Sequence, residues 1–340
     1  MRLLARSSLA CGIVVALVAS IAVAPPAPAA SKRPVVAARG MVVAPEREAA
    51  AVGLAVLRGG GNAVDAAVAT ALALAVTYSR AGNLGGGGFL LYRAPDGSHA
   101  ALDFRETAPQ ALTAALFTDA SGRIDTARSQ NGGLSVGVPG TVAGLVAAHK
   151  RWGTRPWAEL VAPAIRLAEE GVVVSERTAE TLSAEKARLA ADPAAAAIFT
   201  RNGAPIAEGD RLVQKDLAKT LRAIAARGAS GFYDGPVAAA IVKGTSAAGG
   251  VMTLLDLARY RAIERAPLIG SYRGRTVVTF PLPVALPPDG RYVVDASPAS
   301  VGRPGTRHAE ERRLAIDGGV VTVDGPVMLD VVRLAFIGGG

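Results

Sequence analysis

Apolar and polar positions divide the chain into a run of helices interrupted by short strand signals. Residues 35–43 are β-branched and alternate poorly, which predicts a strand entering the core. Pro45-Glu-Arg-Glu48 opens an alanine-rich helix that reaches Leu57 and is broken by Arg58-Gly-Gly-Gly61. Asn62 is placed to cap a second helix over residues 63–76, with Asp65 in its first turn, where the positive end of the helix dipole favours a carboxylate. The two predict a helix hairpin with small faces. Residues 89–92 and 100–104, joined through Pro95-Asp-Gly-Ser98, predict a β-hairpin. Helical spacing then recurs over 142–152, 157–170, 175–191 and 215–227, and Thr253-Leu-Leu-Asp256 is a capped start for a helix within 251–260. Residues 271–280 predict another hairpin. Beyond Pro283 the chain is punctuated by Pro and Gly with little periodicity, so regular structure is doubtful there. No repeat of 20 to 50 residues is evident.

Composition narrows the class. In 340 residues half are apolar, enough for a sizeable core. Aromatics make up only 4%, so the core must pack small side chains, and a base-stacking platform for nucleic acid is poorly supported. Residues 1–30 carry Arg2 and Arg6, an apolar stretch over 9–24, and Ala27-Pro-Ala29, the pattern of a cleavable secretory signal. That stretch is shorter than the ~20 residues a spanning helix needs, so no stable membrane span is expected and the protein is read as secreted or periplasmic. The formal charge is +9, and removing the two leader arginines leaves +7. This excess is spread along the chain with no dense basic block, the pattern of a solvated surface rather than a nucleic-acid site. Cys11 is the only cysteine and lies in the leader, which leaves the mature chain without disulfides, thiol catalysis or Cys-based metal sites.

Few residues stand out as chemical. His99, His149 and His308 are far apart, without the H-x-x-x-H or H-E-x-x-H spacing of a zinc site, so no metal is expected. Ser135, in Gly133-Leu-Ser-Val-Gly137, lacks the glycine positions of a nucleophile elbow. Gly85, Gly86, Gly87 and Gly88 could bring backbone N–H groups close to a ligand, but no P-loop lysine follows, and tight packing of a strand is the simpler reading. Asn62 and Asp65 read as cap residues. Arg105 follows a predicted strand between Asp103 and Glu106. Its guanidinium could hold a substrate carboxylate in bidentate fashion, although spacing alone favours a structural ion pair with the acidic neighbours. No cofactor is expected.

Taken together, Gly59-Gly-Gly-Asn62, Gly82-Asn-Leu-Gly-Gly-Gly-Gly-Phe89 and Leu102-Asp-Phe-Arg-Glu-Thr-Ala-Pro109 resemble the large-subunit part of a γ-glutamyltransferase (glutathione hydrolase) precursor. Further blocks extend the resemblance in the same order: Gly133–Gly140, Trp157–Gly171, Gln214–Leu221, Gly231–Gly235, Gly249–Leu257 and Tyr272–Gly274, so that it runs from about Val35 to Pro283. The resemblance implies an α+β fold of the N-terminal nucleophile hydrolase type, with stacked sheets between helical layers, incomplete in this chain. It implies γ-glutamyl chemistry on glutathione and related amides, with Arg105 on the substrate carboxylate and Asp103, Glu106 and the tetraglycine in support. The family's nucleophile is a threonine at the start of a small subunit, and no Thr-Thr pair occurs here. The expected organisation is therefore a signal (1–30), a large-subunit-like region (31–283) and a divergent tail (284–340), as a frameshifted or truncated gene would give. Such a chain would be inactive without its small subunit, and its unpaired sheet edges would favour aggregation. Two alternatives stay open: a non-catalytic protein binding γ-glutamyl ligands or a partner, and a cephalosporin acylase-type amidase of the same fold.

Overall fold

The computed structural model describes residues 35–272 and 274–281, with strand segments at 292–293, 313–317 and 320–323. Met1–Met41 and Val42–Gly340 are separate units. In the first, residues 35–41 carry neither helix nor strand, and the expected secretory signal lies outside the described residues. The strand expected over 35–43 does not form: Val35, Val36 and Val43 are 80%, 89% and 83% exposed. β-Branched side chains favour a strand where there is a pleated surface to pack on, and none of these residues pairs with a neighbouring strand among the described residues.

From Arg47 the chain is rich in helix. Its α-helices are α1 Arg47–Arg58, α2 Ala63–Thr77, α3 Thr126–Gln130, α4 Thr141–Trp152, α5 Trp157–Glu170, α6 Glu176–Ala184, α7 Lys186–Ala191, α8 Pro193–Phe199, α9 Lys215–Arg227, α10 Ser230–Tyr233, α11 Gly235–Ala247 and α12 Leu254–Arg259. The helix hairpin α1–α2 and the helices α4, α5, α9 and α12 form where the pattern predicts them. The single helix expected over 175–191 is instead two, because Glu185 leaves helical geometry at φ −94°, ψ 12°. The helices α8 and α11 and the short β pairs were not anticipated. Alanine-rich α8 is entered through Asp192, whose carboxylate accepts from the N–H groups of Ala194 and Ala195.

Strands β1 Phe89–Arg93, β2 His99–Asp103 and β7 Ile263–Arg265 form an antiparallel sheet in the order β1-β2-β7. The expected hairpin is present in register, Phe89 opposite Asp103 and Leu91 opposite Ala101. The pairs β3 Val172–Val173 with β6 Arg211–Leu212, and β4 Thr200–Arg201 with β5 Ala204–Pro205, are short and antiparallel. The second predicted hairpin is β8 Leu268–Tyr272 with β9 Arg275–Thr279. It joins β10 Tyr292–Val293, β11 Arg313–Asp317 and β12 Val320–Val323 in a five-stranded sheet, β12 running parallel to β8. Regular backbone is thus present in part of the tail, whose remainder lies outside the described residues.

The core is built around α2. Thirteen of its fifteen residues are buried, as a helix made of alanine, leucine and valine at all but Asp65, Thr70 and Thr77 requires, and α1, α4 and α5 surround it. Its start is fixed by one carboxylate. Asp65, fully buried, accepts from the Asn62 N–H at 2.9 Å while the Asn62 side chain accepts from the Asp65 N–H. The same carboxylate accepts from the Thr154 N–H (2.9 Å), the Thr154 hydroxyl (2.6 Å) and the Arg155 N–H (3.3 Å), tying α2 to the α4–α5 connection. Burial alone would raise the Asp65 pKa, but these donors outweigh it and hold the group below its usual 3.8. A carboxylate depressed in the folded state contributes stability that is complete above its unfolded pKa and is lost as pH falls through the folded one. Replacement Asp65→Ala is expected to cost about 3 kcal/mol in urea unfolding at neutral pH, and the difference from the wild type should shrink below pH 4, where the carboxylate protonates. A constant difference down to pH 2 would show that the charge of Asp65 is not what stabilises this junction.

Candidate functional site

The polypeptide leaving β2 defines the site. Phe104 is 1% exposed and pairs with Gly88, its N–H donating to the Gly88 carbonyl (3.0 Å) and its carbonyl accepting from the Gly88 N–H (3.3 Å). Three residues on, Thr107 pairs with Val138 in the same two-way fashion, at 3.3 and 2.8 Å. Arg105 and Glu106 are therefore held between two pinned neighbours. The Arg105 backbone is fastened further: its N–H donates to the Asp103 carboxylate (3.0 Å) and its carbonyl accepts from the Tyr260 hydroxyl (2.6 Å). Asp103 is in turn held by Arg265 of β7, Nε to Oδ2 2.7 Å, in a largely buried pair. Burial, and then the carboxylates of Asp103 and Glu106, push the Tyr260 phenol well above its usual value, so it stays protonated and donates.

Glycine makes the close approaches possible. A Cβ on Gly140 would fall 2.0 Å from the Phe104 carbonyl oxygen and 2.1 Å from the Tyr260 hydroxyl, and one on Gly144 would fall 2.1 Å from the Phe104 ring. The start of α4 therefore lies directly on Phe104. The tetraglycine is not uniform. Gly85 is exposed with nothing near its Cβ position, whereas Cβ atoms on Gly86, Gly87 and Gly88 would meet the Asn83 side chain, the Phe104 carbonyl and the Phe104 ring at 2.6, 2.6 and 2.8 Å. The Gly86 N–H donates to the Asn83 side chain (2.9 Å), and the Gly86 carbonyl accepts from the N–H groups of Gly140 (2.7 Å) and Thr141 (3.0 Å). The N–H groups of Gly86 and Gly88 are thus used inside the fold, in keeping with the simpler reading of this loop as tight packing.

Around these elements lies a cleft of about 630 Å³, lined by segments of residues 79–86, 105–109 and 134–137 among others, a size usual for small-molecule sites. Arg105, Glu106, Gly85 and Gly86 line it. Asp103, Gly87 and Gly88 do not, and act behind it. The Arg105 side chain is 43% exposed, pairs through Nε with Glu106 at 3.4 Å, and lies over the Phe89 ring at 5.7 Å. Arg105 is therefore ion-paired to its neighbour through one edge and open to the cleft. Ser135 also lines the cleft, its hydroxyl donating to the Gly132 carbonyl at 2.7 Å. His149 does not; its Nε2 bonds the Arg155 carbonyl at 2.7 Å. Among the described residues no cluster of His, Cys, Asp or Glu could hold a metal ion, and no helix is long and apolar enough to cross a membrane.

Sequence reasoning missed Asn83, Arg80 and Tyr260. Asn83 carried a signal, an Asx residue three before a glycine, where a side-chain cap to Gly86 is common. Tyr260 is 155 residues from the carbonyl it binds, and no local pattern marks it.

The gamma-glutamyltranspeptidase family model matches residues 49–287. A glutathione hydrolase proenzyme from Pseudomonas sp. (strain A14) is 47% identical over 256 residues, covering 75% of this chain and 44% of the relative. An acylase ACY 1 proenzyme from Pseudomonas sp. (strain SE83) is 40% identical over 258 residues, covering 74% and 46%. The crystal structure of Helicobacter pylori gamma-glutamyltranspeptidase matches with a TM-score of 0.72 at 43% identity, over 74% of this chain and 72% of that one. The chain spans about half the length of the curated relatives it matches. The likeness bears out the N-terminal nucleophile hydrolase fold implied by the resemblance.

The packing distinguishes glycines that must be glycine from one that need not be. Gly140→Ala should destabilise by about 3 kcal/mol or prevent folding, since backbone would have to move, whereas Gly85→Ala should change stability by less than about 0.5 kcal/mol. Equal unfolding midpoints for the two variants would refute this packing of α4 on Phe104.

Proposed function

Because the chain belongs to the gamma-glutamyltranspeptidase family, we propose that it is the substrate-holding portion of an exported precursor that cleaves or transfers the γ-glutamyl group of glutathione and related γ-glutamyl amides. The observation that carries this reading is Arg105, fastened at its N–H and its carbonyl and open to the cleft at its guanidinium. A backbone so held aims the fork of N–H donors at one place, which suits bidentate capture of a carboxylate. Glu106 supports Arg105 through its Nε edge and, among the described residues, is the only acid lining the cleft.

The attacking hydroxyl is proposed to come from the remaining portion of the precursor, as a threonine that adds to the γ-carbonyl and expels the amine. Water then completes hydrolysis, and an amine completes transfer. On this reading the chain alone binds donor and does not cleave it, which joins the catalytic reading to the binding alternative. The acylase-type alternative, with an acylase proenzyme among the relatives, would call for a second donor, a glutaryl amide. The two donors share the terminal carboxylate and differ in the α-ammonium group. Glu106 gives the cleft an acid to meet that ammonium, which favours the γ-glutamyl donor.

Calorimetric titration of the chain with γ-glutamyl ethylamide and glutaryl ethylamide tests the reading. Tighter binding of the γ-glutamyl compound is expected, with Arg105→Ala weakening both by about 100-fold and Glu106→Gln erasing the preference. Neither amide should release ethylamine. Unchanged affinity in Arg105→Ala would sink the assignment of the carboxylate site, and a preference for the glutaryl compound would favour the acylase reading.

A further inference from the structure

Among the described residues, two cationic side chains line the cleft. Arg105 enters it from the end of β2, and Arg80 from the turn between α2 and the tetraglycine. Arg105 has an acid at its Nε edge. Arg80 is exposed and, among the described residues, has no carboxylate within 4.0 Å.

The turn that carries Arg80 is rigid. The Tyr78 carbonyl accepts from the N–H groups of Ala81 (3.1 Å) and Gly82 (2.7 Å), and the Asn83 amide donates to the Ala81 carbonyl (3.0 Å). Gly82 is buried so closely on α2 that a Cβ would lie 2.0 Å from the Leu74 carbonyl oxygen. Asn83 also accepts from the Thr141 hydroxyl (2.6 Å), so the base of the turn is locked to α4, as the tetraglycine is. The Cα of Arg80 is thus anchored to the frame that holds Arg105, and only its side chain is left to move.

Charge decides what this arrangement suits. Among the described residues, the lining side chains contribute two positive charges, from Arg80 and Arg105, and one negative charge, from Glu106. A γ-glutamyl group by itself brings one carboxylate and one ammonium, which would leave one positive charge unmatched. A donor whose amine portion bears a further carboxylate matches it. We propose that Arg80 is a specificity-determining residue that pairs with a carboxylate on the amine side of the scissile γ-amide, so that the cleft prefers γ-glutamyl peptides ending in a free carboxylate over uncharged γ-glutamyl amides. This rests on the reading of Arg105 as the holder of the γ-glutamyl carboxylate.

Two ligands of nearly equal shape isolate the charge: S-methylglutathione and its glycine ethyl ester. In calorimetric titrations of the full chain at low ionic strength, the free acid should bind about five- to tenfold more tightly than the ester. Arg80→Gln should remove that preference while leaving ester binding unchanged, Arg80→Lys should keep part of it, and added salt should narrow it, since the pair is exposed. Arg105→Gln should weaken both ligands and leave their ratio intact. Three results would overturn the proposal. A ratio unchanged by Arg80→Gln, with Arg105→Gln still weakening both ligands, would remove Arg80 and leave the γ-glutamyl site standing. Equal weakening of acid and ester by Arg80→Gln would make Arg80 a structural residue of the turn. Absence of binding by the wild-type chain, or affinities indifferent to Arg105→Gln, would remove the γ-glutamyl site together with its specificity residue.

Discussion

The site depends on a single contact between backbones: the first turn of α4 resting on Phe104 at the end of β2. Four glycines, Gly87, Gly88, Gly140 and Gly144, clear the space around that residue. Through this contact a helix, a sheet and the loop between α2 and β1 share one fixed point. The Gly86 carbonyl caps the start of α4, and Thr141, at the same helix end, binds Asn83. The next side chain along from Phe104 is Arg105. Its position is therefore a consequence of core packing rather than of surface loops, which is how a charged group can be kept exposed and yet well placed.

Buried carboxylates do much of the remaining positioning. Asp65 joins α2 to the α4–α5 connection, and Asp103 joins the Arg105 N–H to Arg265 of β7. Neither lines the cleft. A carboxylate taken out of water must be met by several donors, and one so satisfied tolerates little displacement, so these acids specify geometry as much as they stabilise it. The exposed ion pairs elsewhere, such as Arg123–Asp119 and Lys219–Asp216, contribute little by comparison.

What the sequence could reveal follows from how far each interaction reaches along the chain. The α1–α2 hairpin, its Asn62–Asp65 capping box, the β1–β2 hairpin and α9 depend on neighbours within a few residues, and their patterns are plain. The failure of residues 35–43 to form a strand turns on tertiary partners, to which propensity is blind. The glycine run was conspicuous, but only the folded chain separates Gly85, which is open, from Gly87 and Gly88, which are filled by Phe104. Arg105 was identified through the family resemblance, since spacing alone favoured a plain ion pair. Tyr260 had no signal at all, because its partner is a backbone carbonyl on a distant strand end.

The division between fixed backbone and open side chain has an energetic logic. Immobilising a long side chain on binding costs about 0.5–1.5 kcal/mol, a cost that falls when the group is already restricted. Arg105 meets that condition in part: Phe89 lies under its guanidinium, Glu106 holds its Nε edge, and Asp103 and Tyr260 fix its backbone. Lysine could keep the charge there but not the planar fork, nor the same orientation over the ring. Arg80 shares the rigid frame but has neither the ring contact nor an acidic neighbour among the described residues. Its contribution should therefore be looser and more sensitive to salt than that of Arg105. A cleft built this way would anchor one end of a donor firmly and read the other by charge, so that different amine portions could be accepted while the bond to be broken stays in one place.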